Sequence, residues 1–323
     1  MTSEPLVSAI VVNWNGARHL EICLPTLLAQ SYRNLEVIVA DSASTDDSAA
    51  VVRACGVGWL PLERNVGLAG ALNRGAEAAQ GEFLLFLNND MRFDGRLVES
   101  MVAQMVEDPN VFSVDALQYD WDGGRKVHLA TSLATKSAGK LDEQPVPGLY
   151  ACQRNQRAPT PVLMSSAANM LARKSMFTNL GGFDERLPLG YEDVELCWRA
   201  WVRGWKTTFV PAAVCWHRVG ASQRSTEGAR MSFRGIVGGR LLLATKLLPI
   251  RFVIATWLVS LAGLARDLGH LRWQRTRDRI TVFCEYARNL PPLLRERRGI
   301  YLSAGTSPGE QLERLLRLQR KQL

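Results

Sequence analysis

The sequence predicts an α/β fold: a doubly wound, mostly parallel sheet flanked by helices, followed by a helical, basic and apolar C-terminal extension. Three observations carry this. Short apolar, β-branched runs alternate with amphipathic helical periods from residue 6 to residue 90. Two of those runs end on acids, Asp41 and Asp90. Beyond residue 232 the pattern turns helical and apolar, and the charge balance changes sign.

Residues 6–12 have the composition of a buried strand. Residues 19–30 place apolar side chains at 20, 23, 24, 27 and 28, along one helical face. A second strand, 35–40, ends at Asp41, and Ser44, Thr45, Asp46 and Asp47 supply caps for a helix through residue 54. A third short strand covers 58–62. A helix over 69–79 stops at Gly81, and a fourth strand, 82–87, ends at Asn88-Asn89-Asp90. Residues 120–160, rich in Gly, Pro, Lys, Gln and Thr, read as a long loop. Order returns over 162–173; 193–202 reads as a helix and 206–210 as a strand closed by Pro211. Residues 232–271 read as one helical region. Its most apolar part, 252–265, has 14 residues without a charge, which is too short to span a bilayer, where about 20 are needed. Residues 311–320 form a basic helix bearing Leu312, Leu315, Leu316 and Leu318.

With 323 residues, 47% hydrophobic and 22% charged, the chain can build one large α/β domain and an appendage, and disorder is not expected. Residues 217–323 hold 20 Lys+Arg against 7 Asp+Glu, an excess of 13 that leaves residues 1–216 at −5 of the overall +8. The basic half favours an anionic partner. No nucleic-acid recognition motif is present and the apolar content argues against nucleic acid. A membrane surface is the expected partner: Arg240, Lys246, Arg251, Arg266 and Arg272 surround the apolar stretch, and Trp257 and Trp273 suit an interface. Packing on the preceding domain, or a homodimer interface, is the alternative. Cysteines 23, 55, 152, 197, 215 and 284 form no CxxC pair, and the N-terminus lacks the basic region and cleavage site of a signal peptide. Reduced thiols in a cytosolic protein are expected.

In doubly wound sheets ligands lie at the carboxyl ends of the strands, where Asp41 and Asp90 fall. A carboxylate at Asp90 can hold Mg²⁺ or Mn²⁺, which neutralises a diphosphate; an Asp after a strand equally caps a turn. Asp41 can accept from a base N–H or a ribose hydroxyl, and Asp46 reads as a helix cap. Asn65-Val66-Gly67, after Arg64, either bends the chain beside a ligand or forms a structural turn. Glu192, Asp193 and Glu195 open a helix whose first turn favours acids; the chemical reading is a general base for an attacking hydroxyl. His217 is either structural or a metal or diphosphate contact. No GxGxxG follows the first strand, which argues against a dinucleotide-dependent oxidoreductase.

The order of these segments resembles the large family 2 of inverting glycosyltransferases. The residues that carry the resemblance are VSAIVVNWNG at 7–16, ADSASTD at 40–46, RNVGLAGALNRG at 64–75, GEFLLFLNND at 81–90, LGGFDERL at 180–187, YEDVELCWR at 191–199 and VCWHRVGAS at 214–222. The bacterial rhamnosyltransferase-like branch is the most similar. The resemblance covers about 1–222 and implies a GT-A fold (Rossmann-like) over 1–225, with a nucleotide-binding half at 1–119 and an acceptor-binding half at 120–225; the helical extension at 226–323 is expected, from its own charge and apolar pattern, to associate with a membrane. It implies transfer of a sugar, rhamnose being one candidate, from a UDP- or dTDP-linked donor to a glycan or lipid-linked acceptor in cell-envelope polysaccharide synthesis. The expected location is cytoplasmic, peripheral on the inner face of the plasma membrane.

Carried over by position, Asp41 contacts the base, and Asn13, Arg64, Asn65 and Asn89 also serve the nucleotide. Asp90 binds Mg²⁺ or Mn²⁺, and His217 helps to hold the metal–diphosphate. Asp193 is the catalytic base, and Glu192 and Trp198 contact the acceptor. Asn88 stands where the first Asp of the family's D-x-D element usually lies, which leaves one carboxylate there. Glu195 replaces a frequent Asp, and Ser165-Ser166 a frequent glycine. The alternatives are a sugar-phosphate nucleotidyltransferase, which would carry a Gly/Arg/Lys-rich loop where this chain reads NWNGARHL, and a non-catalytic nucleotide-sugar-binding protein.

Overall fold

A computed structural model describes residues 4–128, 130–134, 150–187, 191–218 and 226–320. In chain order its elements begin with β1 (Val7–Asn13), α1 (Ala17–Leu28), β2 (Leu35–Asp41), α2 (Ser48–Cys55), β3 (Gly58–Pro61), α3 (Gly67–Ala78) and β4 (Phe83–Asn88). There follow β5 (Met91–Phe93), α4 (Leu97–Glu107), β6 (Val111–Asp120), β7 (Lys126–His128), β8 (Ala130–Ala134), β9 (Tyr150–Arg154), β10 (Thr160–Pro161) and β11 (Asn169–Arg173). Then come α5 (Lys174–Leu180), α6 (Glu192–Val202), β12 (Lys206–His217), α7 (Thr226–Leu247), α8 (Ile250–Gly269), α9 (Trp273–Ser303) and α10 (Pro308–Arg320).

Ten strands form one sheet with the order β10-β12-β6-β11-β4-β1-β2-β3, with β5 paired to β12 and β7 to β6. The run β3-β2-β1-β4 is parallel, as is β6 with β12, whereas β11 runs antiparallel between β4 and β6. Alternation along β1 sends Val7, Ala9 and Val11 to one face and Ile10 to the other. The first face packs on Leu20, Leu24 and Leu27 of α1 and Leu97, Met101 and Met105 of α4. The second packs on Leu72 and Ala76 of α3 and Leu196 and Ala200 of α6. The expected two-faced α/β layering is present.

The chain packs as two compact units. One comprises Met1–Ala130, Gln153–Arg186 and Glu192–Ala221 and holds the ten-stranded sheet; the other comprises Thr131–Cys152, Leu187–Tyr191 and Ser222–Leu323. The second unit has its own core, with Leu187, Val237, Leu241, Leu242, Val282, Tyr286 and Leu293 buried together.

Two sequence readings need correction and two need refinement. The region 120–160 is not one loop, because β7, β8, β9 and the first residue of β10 fall within it; positions 135–149 lie outside the described residues. These short strands rest on backbone pairing, such as Gln118 with His128, and leave little periodic signal. The strand from Lys206 does not close at Pro211. It runs on to His217, with the register against β6 shifting between Val210 and Val214, where an irregularity tolerates proline's missing donor. The region 232–271 is helical as expected and divides into two helices, because Pro249 is extended and interrupts them. Finally, α8 is 20 residues long and by length and composition alone meets the requirement for a membrane span, while its charge-free stretch is the 14 residues 252–265. Helix α4 and strand β6 add to the elements read from sequence.

Candidate active site

Because β1, β2 and β4 are parallel neighbours, their carboxyl ends lie side by side, with Asn13 opposite Asp41 and Val12 opposite Asn88. The Asn13 amide joins them. Its Nδ2 donates to Asp41 Oδ2 (2.7 Å), Ser48 Oγ (2.9 Å) and Ser44 Oγ (3.2 Å), and its Oδ1 accepts from Asn89 Nδ2 (2.6 Å). Asp41 Oδ1 accepts the Ser44 amide at 2.8 Å. Three of the expected nucleotide residues, Asn13, Asp41 and Asn89, therefore form one network. Gly16 lies against it, and a Cβ there would overlap Asn89 Nδ2 and Asn13 Oδ1. Asp46, one residue before the N-cap Asp47 of α2, accepts from the Ser48 amide (3.1 Å) and also from the Ala17 amide (2.9 Å). Arg64 and Asn65 are exposed on the β3–α3 connection. Asn65 Oδ1 accepts the amide of Gly67, whose φ of 76° needs glycine, so Asn65 shapes a turn; no described hydrogen bond joins either residue to the Asn13 network.

Asp90 follows β4 and is 6% exposed. His217, the last residue of β12, sits opposite Met91 of β5, which brings its Nε2 to 3.1 Å from Asp90 Oδ1. Its Nδ1 faces Gln118 Oε1 at 3.2 Å. An amide oxygen only accepts, so Gln118 fixes the proton on Nδ1 and turns the Nε2 lone pair toward the carboxylate. Two electron-rich atoms at that separation call for a proton or a cation between them.

Asp193 is half-buried in the first turn of α6. Its Oδ1 accepts the Val194 amide (2.7 Å), and its Oδ2 accepts the Ala167 amide at a long 3.4 Å. The neighbouring Ala168 carbonyl accepts from the Asn88 amide at 3.2 Å, so the 167–168 backbone ties Asp193 to the end of β4. Burial raises the Asp193 carboxyl, opposed by the two amides and by charge on His128; charge on Asp115 adds to the rise.

Sequence reasoning missed Asp115, His128 and Gln118. Asp115 is 0% exposed on β6, and its Oδ2 lies 2.7 Å from His128 Nε2. Burial disfavours the charged form of His128, but the charge of Asp115, the hydrogen bond to it and the charge of Asp193 outweigh that and raise its pKa. The available signal was an acid inside the apolar run VFSVDAL, since buried acids are rare without a partner. His128 lay in the stretch read as a loop.

The Trp198 side chain is buried, 1% exposed. Glu192 is buried at the start of α6. Glu195 is structural, bound through both oxygens to Arg199 (2.7 and 2.6 Å), whose guanidinium also donates to the carbonyls of Leu180 and Gly182. Cys23, Cys55, Cys197, Cys215 and Cys284 are free thiols, and burial pushes Cys197 and Cys215 up to about 12.

The parallel β3-β2-β1-β4 run followed by an antiparallel strand, with polar residues at adjacent strand ends, is the GT-A architecture. GalNAc-T7 solved with UDP, GalNAc and Mn²⁺ matches 76% of this chain and 49% of its own at a TM-score of 0.58 and 17% identity. The Pyrobaculum calidifontis mannosyltransferase solved with GDP-Man and Mn²⁺ matches 93% and 81% at a TM-score of 0.56 and 20% identity. The chain belongs to glycosyl transferase family 2, whose model matches residues 8–181, and it is a glycosyltransferase. Among curated relatives, the N-acetylglucosaminyl-diphospho-decaprenol L-rhamnosyltransferase of Mycobacterium tuberculosis is 27% identical over 233 residues, 66% of this chain and 76% of that protein. The poly-β-1,6-N-acetyl-D-glucosamine synthase of Staphylococcus aureus is 24% identical over 215 residues, 65% of this chain and only about half (49%) of the synthase.

Proposed function

We propose that this chain moves a sugar, with inversion, from a UDP- or dTDP-linked donor to a hydroxyl of a lipid-linked glycan acceptor in cell-envelope polysaccharide synthesis. The observation that carries the reading is the placement of Asp193: a half-buried acid beside the end of β4, its carboxyl raised by burial. An acid there removes the proton from the acceptor hydroxyl as it attacks the anomeric carbon, and one displacement inverts that centre. Asn13, Asp41 and Asn89 hold the nucleotide side, with Arg64 and Asn65 reaching it from their exposed loop. Glu192 lies on the acceptor side. The nucleotide-binding half is 1–119, the acceptor half 120–225 and the membrane-associating extension 226–323. The rhamnosyltransferase relative supports rhamnose and a polyprenyl-diphosphate acceptor.

Asp90 and His217 suit Mg²⁺ or Mn²⁺. Gln118 turns the imidazole lone pair toward the carboxylate, and one oxygen and one nitrogen make a mixed donor set. Among the described residues no three His, Cys, Asp or Glu side chains converge, so donor phosphate oxygens and water would complete the shell of an ion held by Asp90 and His217. The cation supplies charge that stabilises the leaving diphosphate. The basic C-terminal part supports a location on the cytoplasmic membrane surface.

The test is turnover of a panel of UDP- and dTDP-sugars with Mn²⁺ and a polyprenyl-diphosphate-linked N-acetylglucosamine acceptor. Asp193→Asn should lower kcat by about 10²–10⁴-fold while donor binding stays unchanged. Full activity in that variant would remove Asp193 as the base.

A further inference from the structure

Helix α8 is built inside out. The side chains buried within the protein are Phe252, Thr256, Ser260, Gly263 and Asp267, spaced three or four apart along one face. Those turned outward are Ile250, Ile254, Leu258, Leu261 and Leu268, between 44% and 68% exposed. A helix at a water surface carries the opposite polarity, apolar inward and polar outward.

Each inward polar side chain has a partner within the protein. Thr256 donates to the Phe252 carbonyl and Ser260 to the Thr256 carbonyl, both at 2.7 Å. Asp267 accepts from Arg279 Nε of α9 at 2.6 Å. Gly263 makes room for that guanidinium, since a Cβ there would come within 2.7 Å of its Cζ. Small residues and self-satisfied hydroxyls on the protein side, with large aliphatics outside, suit a helix whose outer medium is hydrocarbon.

Charge selects the kind of surface. Arg251, Arg266, Arg272, Arg275 and Arg277 are exposed on and just after α8, and the helix's one acid, Asp267, is buried and paired. Such a cationic rim matches anionic phospholipid headgroups. Arg251 and Arg266 also bound the charge-free stretch of α8: fifteen residues rise about 22 Å, short of the about 30 Å hydrocarbon core. A helix so flanked lies along the bilayer rather than across it.

We infer that the Ile250–Ile254–Leu258–Leu261–Leu268 face of α8 is a lipid-binding surface that seats in the headgroup region of an anionic bilayer. The inference rests on the membrane-surface reading above and names the residues that make the contact.

The experiment is co-sedimentation of the full chain with vesicles of phosphatidylcholine, with and without 30 mol% phosphatidylglycerol. The parent should bind the anionic vesicles at least about tenfold more tightly, and high salt should weaken that preference. Replacing both Leu258→Asp and Leu261→Asp should lower vesicle affinity at least about tenfold, with the melting temperature and nucleotide-sugar turnover retained, because both positions are exposed. In a separate Leu258→Trp variant, the added indole should shift its emission to the blue on addition of anionic vesicles. A parent that binds neither vesicle overturns the membrane reading and this surface together. A parent that binds while the double variant binds equally well, or a Leu258→Trp emission that does not move, overturns the α8 face alone. A dimer in light scattering that the double variant splits assigns the face to a second copy and overturns the lipid inference. None of these results bears on Asp193, which the turnover assay tests separately.

Discussion

His128 Nε2 lies 2.7 Å from Asp115 Oδ2, and the consecutive amides of Ser166 and Ala167 donate to Asp115 and Asp193 respectively. Two carboxylates are thus held by adjacent peptide groups, with one imidazole hydrogen-bonded to the buried member. Charge on His128 favours the ionised form of Asp193, and burial opposes it. The thiols nearby, Cys197 and Cys215, are held protonated by burial and add no charge. Removing the imidazole as His128→Gln therefore lets the Asp193 carboxyl rise further. The acid limb of the kcat/KM–pH profile should move to higher pH, while kcat/KM on the alkaline plateau changes much less. An unmoved acid limb would show that Asp193 does not sense His128.

The same pair sets a pH dependence of stability. The folded chain raises His128 above its ordinary value of 6.5, so it binds that proton more tightly than the unfolded chain does. Its contribution is complete below 6.5 and is lost as pH rises through the higher folded value. Asp193 acts with the same sign, since burial raises its carboxyl above the ordinary 3.8 and its ionisation costs stability as pH rises. Melting temperatures measured from pH 6 to pH 8 should fall in the parent and fall less steeply in His128→Gln. A parallel pair of curves would remove His128 as a contributor.

Gln118 is expected to matter through metal affinity. It fixes the His217 tautomer that leaves Nε2 facing Asp90. Gln118→Leu should raise the Mn²⁺ concentration for half-maximal activity by about 10–100-fold, with kcat at saturating Mn²⁺ close to the parent's. An unchanged Mn²⁺ titration would mean that His217 does not hold the ion.

The contrast between Asp41 and Asp115 shows what was legible in the sequence. Asp41 ends an apolar run, and strand ends are where a parallel sheet presents ligand-binding groups, so position alone marked it. The layered sheet was readable for a related reason: β1, β2 and β4 are buried on both faces and spell continuous apolar runs. Asp115 lies inside such a run, and its partner His128 is brought in by β7, an edge strand of three residues with no periodic signal. An aromatic residue near a helix start can face either way, and the sequence did not show that Trp198 would be 1% exposed. The face of α6 that packs against Ile10, Leu84 and Phe86 is formed by Leu196, Cys197 and Ala200.

Gly16 separates a packing role from a binding role. Its φ of −120° suits any residue, so the requirement for glycine is one of space. An added Cβ overlaps the Asn13 and Asn89 side chains that bridge β1 to the end of β4. Gly75 is the control: a Cβ there overlaps Ile10 in the helix–sheet layer, away from the strand ends. Each Gly→Ala change should cost about 1–3 kcal/mol of stability through overpacking, read by urea denaturation. Only Gly16→Ala should also raise the donor KM, by about tenfold for a loss near 1.4 kcal/mol of binding. Equal donor KM values in the two variants would mean that the Asn13–Asn89 bridge serves the fold and not the nucleotide.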